Sequence, residues 1–436
     1  MMKKNRTIYF LLALVCLGLQ SCLFQEEDYF DDSSANRATA DVKRCSELLE
    51  AVPNGWVMEY YVGKDYSLGG ITLLCKFDGQ RVTMASQIAG ADETVSSLYS
   101  VKSEQATMLS FDTYNYLVHY FGQPQGSMAD DPNGTLGGDY EFVISDATAD
   151  RIELKGKKYG NRIVMKAFSA DQTWKQYLTR IKKVEDDAFF YEYDLRMDGL
   201  YTGQMLRSNY TFIVTYYDEV GKVHQKTVPF MFTTDGMRFH EPVTIDGQTM
   251  QNFVWKNEEI SFVCTDEGAT EVKLAGVYTA GYQSYDYYPG TYQMDFYRLN
   301  DATNQMEVAS QEIQLVKDED GKSYWLKGLE YDILVTYDKP RGGLSILPQF
   351  LKKVQGGYVY LAMWDLMNDY VLRSSAIGLI SYPTTDGIYL VDNGVWMGEI
   401  SGFIFGVYDS QDEEASFMGY TDAVAAIRLI KKTIEE

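Results

Sequence analysis

The feature that most constrains the fold is the succession of short strand-like segments that fills most of the chain after Trp56. These segments recur at intervals of about 8–12 residues, and turns rich in glycine and aspartate separate them. Asp78-Gly79 and Asp318–Gly321 are typical of hairpin turns. Such a pattern favours antiparallel sheets that are closed into a barrel or packed as a sandwich. We therefore predict an α+β protein that is mainly antiparallel β.

The strand pattern divides the chain into three modules. The first, at 41–187, combines strands with three predicted helices and ends at the acidic stretch Glu185–Asp187. The second, at 188–276, is nearly all strand. The third, at 277–436, is predicted to be a β-barrel or a sandwich, with a lipocalin-like barrel as one form. A chain of this length has room for two or three domains, each with its own core.

Four segments have the periodicity of amphipathic helices. Asp41–Val52 places apolar residues three and four positions apart, and Phe111–Phe121 repeats this spacing behind an N-cap serine. A third helix is predicted after a capping box formed by Ser169 and Gln172. In the third module, Ser345–Val354 is the one segment that we predict to be a helix.

The N-terminus has the parts of a secretory signal. Three basic residues within the first six precede the apolar run Ile8–Leu19, which is too short to span a bilayer. The segment Leu19–Cys22 resembles a bacterial lipobox, in which cleavage takes place just before the cysteine. We therefore expect residues 1–21 to be removed and Cys22 to be acylated, so that the lipid bilayer is a partner. The alternative is an ordinary signal peptide with a chance cysteine.

Residues 22–40 are predicted to form an acidic, disordered linker. Their low hydrophobicity and clustered like charge leave too little apolar surface to bury. The run Gln25–Asp28 resembles the export signal that directs lipoproteins of Bacteroidota to the cell surface, with a solvated charge run as the alternative. The resemblance implies a lipid-anchored protein on the extracellular face of the outer membrane.

Net charge excludes one broad class of partner. The full chain has a formal net charge of −23, and losing the signal removes three positive and no negative charges, which gives about −26 for the mature chain. Such an acidic protein is repelled by polyanions. We therefore expect no nucleic-acid partner.

The cysteines indicate neither a disulfide framework nor a metal site. Besides Cys16 and Cys22, the chain has Cys45, Cys75 and Cys264, whose spacing does not fit a zinc site. Cys45 lies on an apolar helix face and Cys75 in an apolar strand, so small buried thiols are one interpretation. A Cys45–Cys75 bridge is the other. No cofactor is predicted.

Several strings in the first module are similar to a known family. They cover roughly residues 45–170 and comprise Pro53–Trp56, Leu109–Tyr120, Gly138–Phe142 and Ile152–Lys158. The chain thereby resembles a lipoprotein family of Bacteroidota that carries a domain-of-unknown-function label, number 4302. Tyr331–Ser345 looks like lipocalin-type domains of related lipoproteins. The resemblance implies an accessory lipoprotein encoded beside SusC/SusD-type nutrient importers and often near a zinc metallopeptidase. It brings no catalytic residues.

No catalytic constellation is visible in the sequence. The chain has three histidines, at His119, His224 and His240, and it contains neither a Gly-x-Ser-x-Gly elbow nor a His-Glu-x-x-His helix. Pairs of carboxylates are plentiful, but 62 acidic residues produce such pairs by chance. We predict that the protein is not an enzyme, with a carboxylate-dependent hydrolase as the alternative.

One acidic loop is a weak candidate for calcium. Asp130, Asp131, Asn133 and Asp139 offer oxygen ligands among glycines that permit tight turning. The ligands lack the ordered spacing of an EF-hand, so a solvated loop is the alternative and no metal is predicted.

A tyrosine-rich segment is the best candidate for binding. Between Gly276 and Tyr292 the strand and helix periods disappear, and the segment contains Tyr278, Tyr282, Tyr285, Tyr287 and Tyr288. Tyrosine rings offer flat apolar faces with polar tips, as ligand surfaces require. The alternative is that these rings cover a seam between two modules.

The sequence thus predicts a surface-exposed lipoprotein that binds a nutrient, either a glycan or a peptide, or a partner protein for an outer-membrane importer of the SusC/SusD type. Two alternatives stay open. One is a hydrolase of polysaccharide or peptide, and the other is a structural subunit that docks without a ligand.

Overall fold

The computed structural model describes residues 33–124, 134–218, 220–300, 302–303, 305–412 and 414–432. In these residues three α-helices accompany 28 strands, which form three antiparallel sheets. The predicted α+β class with mainly antiparallel β structure is confirmed. The predicted signal peptide, residues 1–21, and the predicted acylation site Cys22 lie outside the described residues. Among the helices that are described, none is long and apolar enough to cross a bilayer.

The first sheet is a closed barrel of eight strands in chain order. Its strands are β1 Trp56–Val62, β2 Gly69–Asp78, β3 Arg81–Ser86, β4 Val95–Ser103, β5 Thr107–Phe111, β6 Glu141–Ala147, β7 Arg151–Gly156 and β8 Arg162–Ala167. β1 closes the barrel on β8, with Trp56 opposite Ala167. Inward side chains such as Trp56, Met58 and Phe142 are fully buried. An eight-stranded barrel is just wide enough for its own side chains to fill.

Three helices accompany this barrel: α1 Ser34–Glu50, α2 Tyr116–His119 and α3 Trp174–Asp187. Helix α1 packs against β2, β4 and β5 and buries Cys45 and Leu49 in the barrel core. The Trp56 indole N–H donates to the carbonyl oxygen of Leu49 at 2.9 Å. The C-terminus of α1 is therefore fixed to the first strand.

Helix α1 begins earlier than the sequence pattern predicts. Its first residue is Ser34 rather than Asp41, because the Ser33 hydroxyl accepts a hydrogen bond from the backbone N–H of Asn36 and caps the helix. The prediction of a disordered linker over 22–40 is therefore wrong for its last seven residues, which are helical.

The predicted helix Phe111–Phe121 is also wrong. Phe111 ends strand β5, where its backbone N–H donates to the carbonyl oxygen of Tyr140. The helix that follows is a single turn, capped by the Asn115 side chain, which accepts from the backbone N–H of Leu117. Pairing of β5 with β4 and β6 completes the barrel, and this tertiary demand outweighs the local helical period.

The capping box of α3 is shifted by four residues from the predicted one. Thr173 and Gln176 form it, rather than Ser169 and Gln172. The Ser169 hydroxyl instead bonds the Asp171 carboxylate in the preceding turn. Leu178, Ile181 and Val184 are the buried face of the helix.

The second sheet is another closed barrel of eight strands. Its strands are β9 Glu192–Met197, β10 Leu200–Ser208, β11 Thr211–Tyr217, β12 Val223–Phe232, β13 Gly236–Ile245, β14 Gln248–Lys256, β15 Ser261–Cys264 and β16 Val272–Val277. Strand β9 pairs with both β10 and β16 and so closes the ring. Phenylalanine rings dominate its interior, with Phe212 stacked on Phe230 at 4.5 Å between ring centroids.

The third sheet has twelve strands. They are β17 Gly290–Asn300, β18 Gln305–Lys317, β19 Ser323–Lys327, β20 Ile333–Asp338, β21 Gly343–Ile346, β22 Gln349–Val354, β23 Gly357–Asp365, β24 Tyr370–Leu372, β25 Leu379–Thr384, β26 Gly387–Asp392, β27 Gly402–Tyr408 and β28 Phe417–Lys431. Pairing of β17 with β28 completes an eight-stranded ring with β18–β21, β25 and β26. Strands β27, β23, β22 and β24 branch from β28.

The predicted helix Ser345–Val354 is wrong as well. All but two of its residues belong to strands β21 and β22, which pair with β20, β25 and β23. The apolar spacing of such a short segment fits either a helix or two strands. Neighbouring strands that can pair with the segment determine that it forms strands.

The three described cysteines outside the signal are buried free thiols. Cys45 and Cys75 lie in the core of the first barrel, and Cys264 in the second. The Cys45–Cys75 bridge is therefore absent, and burial raises the pKa of the Cys75 thiol well above its ordinary value.

The first two barrels touch through glycines. β2 packs against β12, and a Cβ added to Gly69 would lie 2.0 Å from the carbonyl oxygen of Tyr210. Gly69 also has a φ of +71°, which side chains other than glycine rarely adopt. The close approach of the barrels therefore depends on the missing side chain.

We expect Gly69→Ala to lower the free energy of unfolding by about 2–3 kcal/mol. The cost of an alanine in the left-handed conformation adds to the cost of the steric clash with Tyr210. The matched control is Gly79→Ala, at a φ of +61° with open space around its Cβ, for which about 1 kcal/mol is expected. Urea denaturation of both variants measures the difference. Equal losses would show that the barrels do not need this contact.

Candidate functional site

The five predicted tyrosines do not form one surface. They lie in the connection between β16 and β17, where the second barrel leads into the third sheet. Tyr278 is 47% exposed and Tyr288 is fully buried, with the other three between these limits. The segment divides into a part that packs between the sheets and a part that packs into the third sheet.

Tyr278 and Tyr282 pack on aromatic side chains that follow α3. The Tyr278 ring lies 5.0 Å from that of Phe190, and Tyr282 stacks on Phe189 at 6.0 Å. The Lys339 ammonium lies 4.9 Å from the centroid of the Phe189 ring. It also donates a hydrogen bond to the Asp186 carboxylate at 3.0 Å. These contacts join the third sheet to the end of α3. The seam interpretation of the sequence fits these two residues.

Tyr285 and Tyr288 belong to the core of the third sheet. The Tyr288 hydroxyl donates to the carbonyl oxygen of Gly342 at 2.9 Å, and the Tyr285 hydroxyl donates to that of Ser323 at 2.9 Å. The Tyr285 ring stacks on Tyr324 at 4.7 Å. Burial raises the pKa of both predicted tyrosines, as expected for hydroxyls that stay protonated as donors.

Tyr287 differs from its neighbours because its ring faces the surface. It lies edge-on to Tyr288 at 5.2 Å, and the Lys431 ammonium lies 5.0 Å over its face. Lys431 also donates to the carbonyl oxygen of Tyr287. This contact attaches the start of β17 to the end of the last strand.

The weak calcium candidate lies largely outside the described residues, which include Asp139 but not Asp130, Asp131 or Asn133. The Asp139 carboxylate accepts the backbone N–H groups of Lys158 and Tyr159, at 2.7 and 3.1 Å, in the β7–β8 hairpin. Burial raises the pKa of Asp139. The Asp139 carboxylate oxygens thus stabilise the hairpin turn. In the described part of the chain no three His, Cys, Asp or Glu side chains are grouped for a metal ion.

The three histidines contact different groups of residues. The His119 ring binds back to Asn115 at the start of α2, and His224 pairs with Asp218 at 2.8 Å across a hairpin turn. His240 lies between the first two barrels, 4.3 Å from the Tyr61 ring and 4.1 Å from that of Tyr66.

A row of aromatic side chains crosses the branch of the third sheet, and sequence analysis missed it. Phe350, Tyr360, Tyr408 and Phe417, together with Arg373, line a groove of about 950 Å³, which we call the aromatic groove. Consecutive ring centroids lie 5.3, 5.7 and 5.5 Å apart along the row. Phe350 and Phe417, at the two ends of the row, are each 45% exposed.

Strand register brings these rings together. Phe350 of β22 lies opposite Tyr360 of β23, and Tyr408 of β27 lies opposite Phe417 of β28. Gly406 lies beneath the last two, where a Cβ would be 2.9 Å from the Tyr408 ring and 3.2 Å from the Phe417 ring. The absence of a side chain at Gly406 leaves room for the Tyr408 and Phe417 rings, whose planes are inclined at 62° to each other.

Arg373 places a cation within the aromatic groove. Its guanidinium lies 4.9 Å from the Tyr360 ring centroid and 4.2 Å from that of Tyr408, and it donates to the carbonyl oxygen of Asp412 at 2.6 Å. Contacts with these two rings and with the carbonyl oxygen hold the guanidinium in place. Further polar side chains line the groove, namely Gln349, Asp369, Ser374, Ser375, Gln411 and Asp412.

A second cleft, of about 760 Å³, lies where all three sheets meet around the end of α3. Several of its charged side chains bind other groups of the protein. Lys182 donates to the carbonyl oxygens of Gln87 and Ala89, both at 2.8 Å, and Lys183 pairs with Asp187 at 2.7 Å. We interpret this cleft as a structural junction.

Two family matches cover most of the chain. Residues 26–257, slightly more than half of the chain, match a family described as a domain of unknown function (DUF4302). The chain belongs to this family. Its DUF4302 part includes α1, the first barrel, α3 and strands β9–β14. Residues 265–404 match a second family that is also described as a domain of unknown function (DUF4987). Membership in the family numbered 4302 was the prediction from the strings within 45–170, and it is confirmed.

Similarity to solved structures is low. A protein of unknown function from the DUF3598 family of Nostoc punctiforme has 8% sequence identity and a TM-score of 0.15, over 56% of this chain and 98% of that one. A mutant of the vaccine antigen transferrin binding protein B from Haemophilus parasuis has 12% identity and a TM-score of 0.12, over 84% of this chain and 67% of that one. No curated protein matches this DUF4302 chain.

The tyrosine segment yields a prediction about stability. Tyr288→Ala should lower the free energy of unfolding by about 3–5 kcal/mol, because it removes a buried ring and its hydrogen bond. Tyr287→Ala, next to it with an exposed ring, should cost less than about 1 kcal/mol. Chemical denaturation of both variants tests the contrast. Equal small losses would mean that Tyr288 does not belong to the core.

Proposed function

We propose that this chain is a lipid-anchored binding protein of the outer membrane, which holds a glycan or peptide ligand in the aromatic groove for uptake by a SusC/SusD-type importer. The anchor rests on the lipobox-like segment at Cys22, and the surface location rests on the acidic run that follows it. The importer rests on the family resemblance. The binding site rests on the geometry of the aromatic groove.

One observation carries the binding proposal, namely the row of four rings with a cation held among them, in which the end rings Phe350 and Phe417 are exposed and Tyr408 is buried. Flat apolar faces accept the C–H faces of sugar rings or apolar peptide side chains, and the polar groups around them fix orientation. The volume of about 950 Å³ suits a ligand of two or three sugar units or a short peptide.

We expect Phe350→Ala and Phe417→Ala each to weaken ligand affinity about tenfold, or about 1.4 kcal/mol, because each removes an exposed stacking face. The matched control is Tyr382→Ala, whose ring is 62% exposed on β25 outside the groove. A glycan and peptide array finds the ligand, and calorimetry measures the affinity of each variant.

Two results would contradict this assignment. One is an unchanged affinity in both groove variants, and the other is catalytic turnover of the ligand. Asp369 and Asp412 both line the groove. Turnover abolished by Asp369→Asn or Asp412→Asn would therefore favour the carboxylate-dependent hydrolase.

The anchor has its own test. Cys22→Ala should abolish both incorporation of a labelled fatty acid and retention in the membrane fraction, because the acyl chains on this cysteine are the proposed attachment. The control is Cys45→Ala, which changes a buried thiol and should leave labelling intact. A Cys22→Ala protein that is still labelled and still sediments with membranes would overturn the anchor.

A docking subunit is the second candidate function, and one surface favours it. A cleft of about 580 Å³ on the third sheet is lined mainly by apolar side chains, among them Tyr297, Met306 and Met367. Beyond it, Met397 is 97% exposed. Exposed apolar side chains of this kind occur at protein interfaces. Met367→Glu should abolish capture of a partner if docking is the function, and should leave ligand binding in the aromatic groove unchanged.

A further inference from the structure

A basic cleft lies between the first two barrels and shares no lining residue with the aromatic groove, which belongs to the third sheet. It has a volume of about 510 Å³, and we refer to it as the basic cleft. Its lining comes from β1, β7 and β8 of the first barrel, from β13 and β14 of the second, and from Tyr66. The charged and aromatic side chains in the lining are Glu59, Tyr61, Tyr66, Arg151, Arg162, Lys166, Arg238, His240 and Glu241.

The balance of charge in the basic cleft opposes that of the chain. Four arginine and lysine side chains line it against Glu59 and Glu241 of the lining and against Glu153, which pairs with two of the arginines, whereas the whole chain has a net charge of −23. A local excess of cations in such an acidic protein focuses a positive potential on the cleft. Low-dielectric walls on both sides strengthen this potential.

The buried negative charge of the basic cleft is already neutralised from within. Glu59 accepts Lys166 on one carboxylate oxygen at 2.7 Å and Arg238 on the other at 2.5 Å. Burial alone would raise the pKa of Glu59, but the two cations outweigh it and keep this pKa below its ordinary value. Since one carboxylate faces two cations, the triad retains a net positive charge.

The mouth of the basic cleft holds a second pair of cations on one carboxylate. Arg151 and Arg162 bind opposite oxygens of Glu153, at 3.0 and 3.2 Å. The Arg162 side chain is 74% exposed, so most of its guanidinium remains hydrated. A planar guanidinium that is largely open can receive a carboxylate or phosphate through two parallel hydrogen bonds.

The wall of the basic cleft contains a buried hydroxyl group that is available for a hydrogen bond. Tyr61 is 4% exposed, yet its hydroxyl makes no hydrogen bond of normal geometry among the described residues, although the Arg238 guanidinium is beside it. An unpaired buried hydroxyl costs free energy unless a ligand or a water binds it.

His240 stands between Tyr61 and Tyr66 in the same wall. Burial and the neighbouring Arg238 and Arg162 lower the pKa of His240, against the opposing effect of Glu241 and Glu59. The imidazole is therefore neutral at pH 7. A bound anion would raise this pKa, because a negative charge favours the imidazolium.

We propose that the basic cleft binds a small organic molecule through an oxyanion group, a carboxylate, sulfate or phosphate, such as an acidic monosaccharide carries. Arg162 and Lys166 bind the oxyanion, and Arg238 adds positive potential from behind it. The Tyr61 hydroxyl and the His240 imidazole form the rest of the binding wall. The volume is that of a pocket for a small molecule. This site is independent of the aromatic groove and of the proposed function.

The test uses residues 23–436, which contain every described residue, and four probes: glucuronate, sodium phosphate, sodium sulfate and neutral glucose. Calorimetry measures affinity at low and high salt. The chain has three histidines, so proton NMR can follow His240 against His119 and His224 as internal references. We expect at least one anion to bind and to raise the pKa of His240, with weaker binding at high salt and none for glucose.

Two variants with opposite effects make the test specific to the basic cleft. Arg162→Gln should weaken the binding anion at least fivefold, whereas Glu241→Gln should strengthen it at least twofold, since each removes one charge from the lining. Both side chains are exposed, so folding should be unaffected. The control is Arg196→Gln, which removes an arginine from a surface ion pair with Asp194 elsewhere on the second barrel.

The anion that binds with the highest affinity identifies the chemical group that the basic cleft recognises. The proposal is overturned if none of them binds, if glucose binds equally well, or if Arg162→Gln changes affinity no more than Arg196→Gln. Binding in the aromatic groove would be unaffected by these variants, so that failure here is distinguishable from failure of the proposed function.

Discussion

Closure of the sheets is the constraint on which the rest of this structure depends. An open antiparallel sheet leaves a row of unpaired N–H and C=O groups at each edge. Here β1 pairs with β8, β9 with β16, and β17 with β28, so each ring satisfies its own edges. Eight strands enclose a space that side chains alone fill, and fully buried aromatics such as Trp56, Phe212 and Tyr292 fill it.

Because the barrel interiors are filled, the clefts available to ligands lie outside them. The aromatic groove lies on the branch that β28 makes possible, since this strand is long enough to pair with β26 and β17 at one end and with β27 at the other. The basic cleft and the junction around α3 lie between sheets, where two curved surfaces cannot fit without a gap. The same closure that stabilises each module therefore determines where binding can occur.

Sequence reasoning succeeded where structure is set locally and failed where distant strands decide. Asp78-Gly79 and Asp318–Gly321 are the predicted hairpin turns, because turn chemistry is local. Ser345–Val354 was predicted as a helix, but the neighbouring sheet edges make it two strands. Phe111 was likewise predicted to start a helix, but it ends strand β5, because β5 pairs with β4 on one side and with β6 on the other.

The sequence by itself determined the fold class, the succession of strands and the family, because periodicity, turn residues and short strings are properties of neighbouring residues. Only the tertiary structure decided which tyrosines are buried and where the candidate sites lie. Tyr287 and Tyr288 are adjacent, yet one faces the surface and the other fills the core. Phe350 and Phe417 are distant in the chain, yet line one groove. Both outcomes follow from strand register, which depends on pairing between segments that no local pattern connects.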